Sequence, residues 1–184
     1  MIGNSIAGFL EGGAATATSS YESIATVSPS GATVSFTSIP ATYKHLQIRY
    51  IAKDNSVGTT GSRSMDMQFN SDTAANYAYH TLYGTGATAT STGTGSVSSI
   101  SILGIPGNGV TANMFGAGII DILDYANTSK NKTVKTFAGT DLNNTSGAVA
   151  LDSGLWRSTA AVSSIQIITT FVAGSIFALY GIKG

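Results

Sequence analysis

Cysteine is absent from the 184 residues of the chain, and so disulfides, thiolate nucleophiles and cysteine-ligated zinc sites are excluded together. Charge is scarce as well. Charged residues make up 10% of the sequence, against about 25% in an ordinary protein, and the net charge is zero. Because nucleic-acid binding needs clustered positive charge, we expect no nucleic-acid partner. A weakly charged surface also protects poorly against association, which favours a chain that makes contacts with other subunits.

Residues that carry out catalysis or bind metals are few. The two histidines, His45 and His80, lack the short spacing of metal-binding pairs, and there is no phosphate-binding loop or nucleophile elbow. The two glutamates, Glu11 and Glu22, lie near the N-terminus, which leaves little material for a glycosidase-like carboxylate pair. The sequence therefore predicts a non-enzymatic protein with no catalytic residue, no metal site and no cofactor. A carbohydrate-active enzyme stays open as a minor alternative, which loss of activity on mutation of Asp121 would support.

Charge is missing altogether between Ser158 and Ile182, a stretch with about the length of a membrane-spanning helix. The stretch nevertheless contains serines, threonines and a glutamine, and Gly174 divides it into two runs of strand length. No cluster of lysine or arginine flanks it to set an orientation across a bilayer. We therefore expect two strands here and no membrane partner.

Most of the chain alternates in the way that β-strands do. In YKHLQIRYIA, Leu46, Ile48 and Tyr50 point to one side, and the polar residues between them point to the other. About ten such segments follow one another, separated by clusters of Gly, Asn, Ser and Pro, and none has a convincing helical period. That number exceeds what one open sheet comfortably holds. The sequence therefore predicts an all-β fold, an antiparallel jelly-roll-like β-sandwich.

We expect a single sandwich domain over residues 21–184. Residues 1–20 are rich in Gly, Ala, Ser and Thr, which predicts a flexible N-terminal arm. Residues 84–96, GTGATATSTGTGS, are low in complexity, and this composition predicts a flexible or protruding loop.

The last strand-like segment, SIFALYGI, is apolar on both faces. One face of a sandwich strand packs on the core, and so the other needs a cover. A neighbouring subunit provides that cover at least as readily as a loop of the same chain. The candidate interface residues lie in this strand, at the end of another strand and in an apolar patch of the arm: Ile176, Phe177, Tyr180, Trp156, Ile6, Phe9 and Leu10.

Three tyrosines, Tyr77, Tyr79 and Tyr83, share one face of the segment NYAYHTLY. A tyrosine ring has an apolar body and a polar tip, and so a tyrosine stripe can bind a sugar or a protein. The same stripe also suits a sheet face that packs on its partner. Both interpretations stay open, and the three residues are a possible ligand face only under the first.

Several segments together resemble a known group of proteins. The resemblance covers nearly the whole chain from Ser20 to Gly184, and FALYGIK and IDILDYANTSKNKT are its most specific parts. The other segments are SYESIATV, SFTSIPATYKHLQIR, LYG, LGIPG and SGLW. This pattern is similar to small structural proteins of tailed bacteriophages, especially phages of aquatic bacteria and cyanobacteria.

The resemblance implies a non-enzymatic virion component with a β-sandwich fold, and two locations compete. In the first, the chain is a decoration, or cement, protein on the head surface, where a homo-trimer binds the major capsid protein and stabilises the shell by mass action. In the second, it is a tail fibre or receptor-binding component whose tyrosine face contacts host glycans. The chain lacks the long repeats and heptads of a fibre shaft, which favours decoration. The arm would then lie along the capsid.

Overall fold

The computed structural model describes residues 19–29, 31, 33–143 and 147–184. This part of the chain forms twelve β-strands. Within it, there is no helix of the length and apolarity that crossing a membrane requires. The strands are β1 (Tyr21–Val27), β2 (Val34–Phe36), β3 (His45–Ala52), β4 (Ser62–Phe69), β5 (Tyr77–Gly84), β6 (Ala89–Val97), β7 (Ile100–Pro106), β8 (Gly116–Leu123), β9 (Lys132–Thr140), β10 (Ala148–Trp156), β11 (Ile165–Ile168) and β12 (Ile176–Ile182).

The strands form two antiparallel sheets, which confirms the predicted all-β sandwich class. The larger sheet has eight strands in the order β1-β12-β3-β8-β9-β10-β5-β6, and the smaller has four in the order β2-β11-β4-β7. The edge strand β7 of the smaller sheet packs on β8, β9, β10 and β5 of the larger one. The core therefore lies between two sheets of unequal width.

The alternation in the sequence decides which face of the larger sheet meets the core. Strands β9 and β10 alternate between buried and outward-facing residues along their whole length. Val134 and Ala150 point inward and are buried, whereas Phe137 and Leu151 point outward and are exposed. Because successive side chains of a strand point to opposite faces, one face of this sheet covers the core and the other stays outside.

Aromatic side chains fill two parts of the core. In the first part, Phe177 stacks on Tyr50 with ring centroids 5.5 Å apart and meets the edge of Phe171 at 4.9 Å. In the second, Trp156 stacks on Tyr77 with centroids 6.3 Å apart. Each such pair adds about 0.5–1.5 kcal/mol to the stabilisation that burial of the rings supplies.

In the described part of the chain, two carboxylates are buried, those of Asp54 and Asp152, and the second lies on the inner face of β10. Asp152 is 4% exposed and accepts hydrogen bonds from Thr81 Oγ1 at 2.6 Å and Thr136 Oγ1 at 2.5 Å. Burial raises the pKa of Asp152, while the two hydroxyl donors act in the opposite direction. These donors explain why a carboxyl group is tolerated here, since a buried polar group without partners is costly.

The connection between β8 and β9 is organised by a buried lysine. Lys132 has no exposed surface, and its ammonium group donates to three carbonyl oxygens. These belong to Asn127, Lys130 and Thr159, at 2.6, 2.8 and 3.2 Å from Nζ. Burial lowers the pKa of Lys132. The side chain thus joins the β8–β9 connection to the segment that follows β10.

Replacing Lys132 with Met is expected to destabilise the protein, because the apolar side chain leaves three carbonyl oxygens without their donor. Hydrogen bonds to a charged group are worth about 1.5–3 kcal/mol in mutational series, and we expect a loss in that range. Urea unfolding followed by tryptophan fluorescence measures it. Lys135, on the outward face of the same strand, is the matched control, and Lys135→Met should stay within about 0.5 kcal/mol of wild type. Equal losses in the two variants would contradict the role of Lys132.

The expectation of a loop at residues 84–96 is wrong for most of that segment. Residues 85–88 form the turn of a hairpin, and β6 pairs with β5 from Ala89 to Val97. Residues 89–96 are exposed and Val97 is half-buried. Threonine favours strands, and an edge strand with no cover needs no alternation of apolar residues. For this reason the Gly- and Thr-rich composition of β6 predicted a loop although the segment forms a strand. Of the expected arm, residues 1–18 lie outside the described residues.

Candidate functional site

The face of the larger sheet that points away from the smaller sheet carries a continuous apolar row. Ile119, Phe137, Leu151 and Leu82 are direct cross-strand neighbours on β8, β9, β10 and β5. Phe137 is 56% exposed and Leu82 is 52% exposed. With strands about 4.8 Å apart, the row extends about 14 Å across the sheet. An antiparallel sheet normally presents polar side chains on its free face, and here it presents large apolar ones.

A second apolar row lies beside the first. Ile176, Ile51, Ala117, Gly139 and Val149 follow one another across β12, β3, β8, β9 and β10. The large side chains of the two rows are called the outer apolar face: Ile51, Leu82, Ile119, Phe137, Val149, Leu151 and Ile176. Contiguous exposed apolar surface of this kind marks an interaction site in soluble proteins.

Polar and aromatic residues border the outer apolar face and are held in position. Arg49 lies next to Ile119 in the first row, and its guanidinium stacks over the rings of Tyr21 and Tyr180 at 5.2 and 5.3 Å. Arg49 Nε donates to Gln47 Oε1 at 2.8 Å. A border of ordered polar groups around an apolar centre is the usual anatomy of a protein–protein interface.

An ion-pair cluster anchors the end of the larger sheet beside β8. Asp124 follows β8, and its two carboxylate oxygens lie 3.0 Å from Lys44 Nζ and 2.9 Å from Lys130 Nζ. Hydrogen bonds from Lys130, and to a smaller extent from Lys44, lower the pKa of Asp124 to about 2. The cluster connects the turn after β8 to the residue that precedes β3.

The contribution of Asp124 to stability is expected to depend on pH. Its pKa in the folded state lies below the unfolded value, and so its stabilising effect is present above about pH 4 and is lost as pH falls towards 2. Asp124→Asn should therefore be less stable than wild type at neutral pH, and the difference should shrink through this window. Urea midpoints measured between pH 7 and pH 2 test this. A difference independent of pH would show that the pairing with the lysines contributes nothing.

The structure places the predicted interface residues in different environments. Ile176 belongs to the outer apolar face, and Tyr180 is half-buried beneath Arg49 at its border. Phe177 and Trp156 instead lie in the core, with exposures of 0% and 3%. They pack inside their own subunit because both point to the inner face, which leaves them no surface for a partner. The residues Ile6, Phe9 and Leu10 lie outside the described residues.

The three tyrosines of β5 also separate. Tyr77 is fully buried, accepts a hydrogen bond from Phe69 N at 3.0 Å and donates to the carbonyl oxygen of Asp72 at 3.0 Å. Tyr77 therefore belongs to the core and is not part of an open ligand face. Tyr79 and Tyr83 stay partly exposed and line a cleft of about 360 Å³.

Sequence reasoning missed most of the outer apolar face. Phe137, Val149, Leu151 and Leu82 each occupy an outward position next to polar or small residues of the same strand. The other outward positions of β5 and β9 hold small or polar residues, and so neither of these strands by itself shows an apolar outer face. The signal lies in the register, which brings outward residues of neighbouring strands side by side, and the register becomes visible only once the strand order is known.

Within the described residues, no group of three or more His, Asp or Glu side chains is placed to hold a metal ion. Comparison of the chain with known protein families, with curated proteins and with solved structures finds no match. The fold places the protein in the class of β-sandwiches.

Proposed function

We propose that this chain is a non-enzymatic structural protein of a tailed-phage virion, which decorates the head surface by binding the major capsid protein as a trimer. The outer apolar face carries the proposal, since it supplies surface for contacts that a monomer leaves unused. The resemblance of FALYGIK and IDILDYANTSKNKT to phage structural proteins supports the virion assignment.

The mechanism of such a protein is mass action. A ligand that binds the assembled lattice more tightly than free subunits shifts the equilibrium towards the lattice. Apolar surface contributes about 25 cal/mol for each Å² buried, and a specific interface needs about 1,000 Å² or more. Because the outer apolar face lies on strands that are hydrogen-bonded to their neighbours, little backbone ordering accompanies docking.

A receptor-binding tail component is the second candidate function. The cleft lined by Tyr79 and Tyr83 favours it, because partly exposed tyrosines in a concave site suit the recognition of a host glycan. The absence of fibre repeats from the sequence keeps it behind decoration.

Locating the protein in purified particles separates the two functions. Immunogold labelling or a low-resolution cryo-EM map should show the protein over the whole head, in trimers. Heads stripped of the protein should then break at lower temperature than heads to which it has been added back. Signal confined to the tail would overturn decoration and support host recognition, and absence from particles would overturn both.

A further inference from the structure

The smaller sheet does not cover the whole width of the larger one, and an open cleft results. Strands β5 and β6 form one wall of the cleft, and β4 and β7 form the other. Its volume is about 360 Å³. The residues that matter for its chemistry are Ser62, Ser64, Tyr79, Tyr83, Thr92 and Ser101.

The lining of the cleft is neutral and rich in hydroxyl groups. None of its lining residues is charged, and eight of the ten carry a hydroxyl, the others being Leu103 and Ala148. The hydroxyl of Ser62 is buried and has no hydrogen-bond partner among the described residues. Thr81, by contrast, is already engaged, because its hydroxyl donates to Asp152. The free hydroxyls can both donate and accept, and so the cleft suits a ligand that does the same.

The uncharged, hydroxyl-rich lining of the cleft suits some classes of ligand better than others. An anionic ligand would find no cation in the lining, and a cationic ligand would find no carboxylate there. A purely apolar ligand would remove water from the hydroxyls without replacing its hydrogen bonds, which is costly. A neutral carbohydrate offers hydroxyls for the serines and threonines and C–H faces for the tyrosine rings.

The spacing of the tyrosines sets the size of the ligand. Tyr79 and Tyr83 are four residues apart on one face of β5, which corresponds to about 13 Å along a strand. Thr92 on β6 pairs with Thr81, between the two tyrosines. A ligand that contacts both rings is therefore longer than one sugar unit.

We propose that this cleft binds a neutral oligosaccharide, with Tyr79 and Tyr83 as the stacking residues and Ser62, Ser64 and Ser101 as hydrogen-bonding residues. The cleft lies on the opposite face of β5 from Leu82 and hence away from the outer apolar face. A subunit docked through that face keeps its cleft open. The proposal deepens the receptor-binding candidate function, which rests on the same cleft, and it is also compatible with a protein that sits on the head.

The test uses the isolated full-length protein and four uncharged probes, which are maltotriose, cellotriose, mannotriose and N,N′-diacetylchitobiose. Saturation-transfer NMR identifies those that bind, and calorimetry gives the affinities. At least one probe is expected to bind. The Tyr79→Ala/Tyr83→Ala double variant should then lose affinity at least about tenfold, since two stacking contacts are removed. Sialyllactose is lactose with one added sialic acid, which brings a carboxylate, and it should bind no better than lactose.

Two further variants keep the test decisive. Ser64→Trp obstructs the cleft from an exposed position, so it should abolish binding without loss of stability. Tyr180→Ala removes a tyrosine from the opposite face of the sheet and should bind like wild type. The proposal is overturned if no neutral probe binds, if sialyllactose alone binds, or if binding survives Ser64→Trp. Any of these outcomes would remove the support that the cleft gives to the receptor-binding candidate, while the decoration proposal, which rests on the outer apolar face, would stand.

Discussion

Replacing Phe137 with Asp is expected to abolish assembly while the subunit stays folded. Phe137 lies in the middle of the first apolar row, with Ile119 on one side and Leu151 on the other. In the free subunit the new carboxylate faces water, and so stability should change by no more than about 1 kcal/mol. In an assembled particle the same carboxylate would be buried without a partner, which costs several kcal/mol.

The expected size of the effect is a loss of at least about 100-fold in affinity for the capsid or for other copies, equivalent to about 2.8 kcal/mol. Sedimentation velocity measures self-association, and occupancy on stripped heads measures capsid binding. Val57→Asp is the matched control, because Val57 is also an exposed apolar residue, at 94%, but lies between β3 and β4. If Phe137→Asp assembles as well as the control does, the outer apolar face is not the docking surface.

Replacing Phe177 with Ala is expected to cause the largest loss of stability that we predict. The ring has no exposed surface and packs on Tyr50 and Phe171. Truncation of a buried phenylalanine removes the transfer free energy of the ring and leaves a cavity, which together cost about 3–5 kcal/mol. Since a domain of this size is stable by only about 5–15 kcal/mol, the variant should be much more sensitive to heat and urea.

The neighbouring residue provides a control for this prediction. Ile176 precedes Phe177 in β12 but points to the outer face, where it is 42% exposed. Ile176→Ala should therefore cost the isolated subunit about 1 kcal/mol or less and should instead weaken assembly. Urea unfolding of both variants decides the matter. A small loss in Phe177→Ala would mean that the inward side of β12 is not held as the structure places it.

The positions of Phe177 and Ile176 also show how the uncharged C-terminal strand is placed in the fold. Phe177 and Leu179 are buried because they point to the core, whereas Ile176 is half-exposed on the outer face. A strand whose inward side lies in the core has no room for charge on that side. Within β12, the inward residues lie in the core and Ile176 belongs to the outer apolar face, and the strand carries no charged residue.

The class of fold could be predicted from the amino-acid sequence, because the alternation of apolar and polar residues that marks a β-strand can be seen within a single short segment. In β3, for example, Leu46, Ile48 and Tyr50 alternate with polar residues, and all three are buried in the structure. The same local logic failed for β6. Residues 89–96 of that strand are exposed, and so its threonines and glycines need no alternation and the strand has the composition of a loop.

The candidate sites depend on contacts between residues that are far apart in the chain, and these contacts follow from register and strand order. Leu82 and Phe137 join one apolar row only because β10 lies between β5 and β9. Likewise, Tyr77 is buried and Tyr79 lines a cleft because the smaller sheet ends partway along β5. Local alternation states which residues share a side of one strand. Which strands become neighbours, and where the covering sheet stops, is decided by the packing of the whole chain.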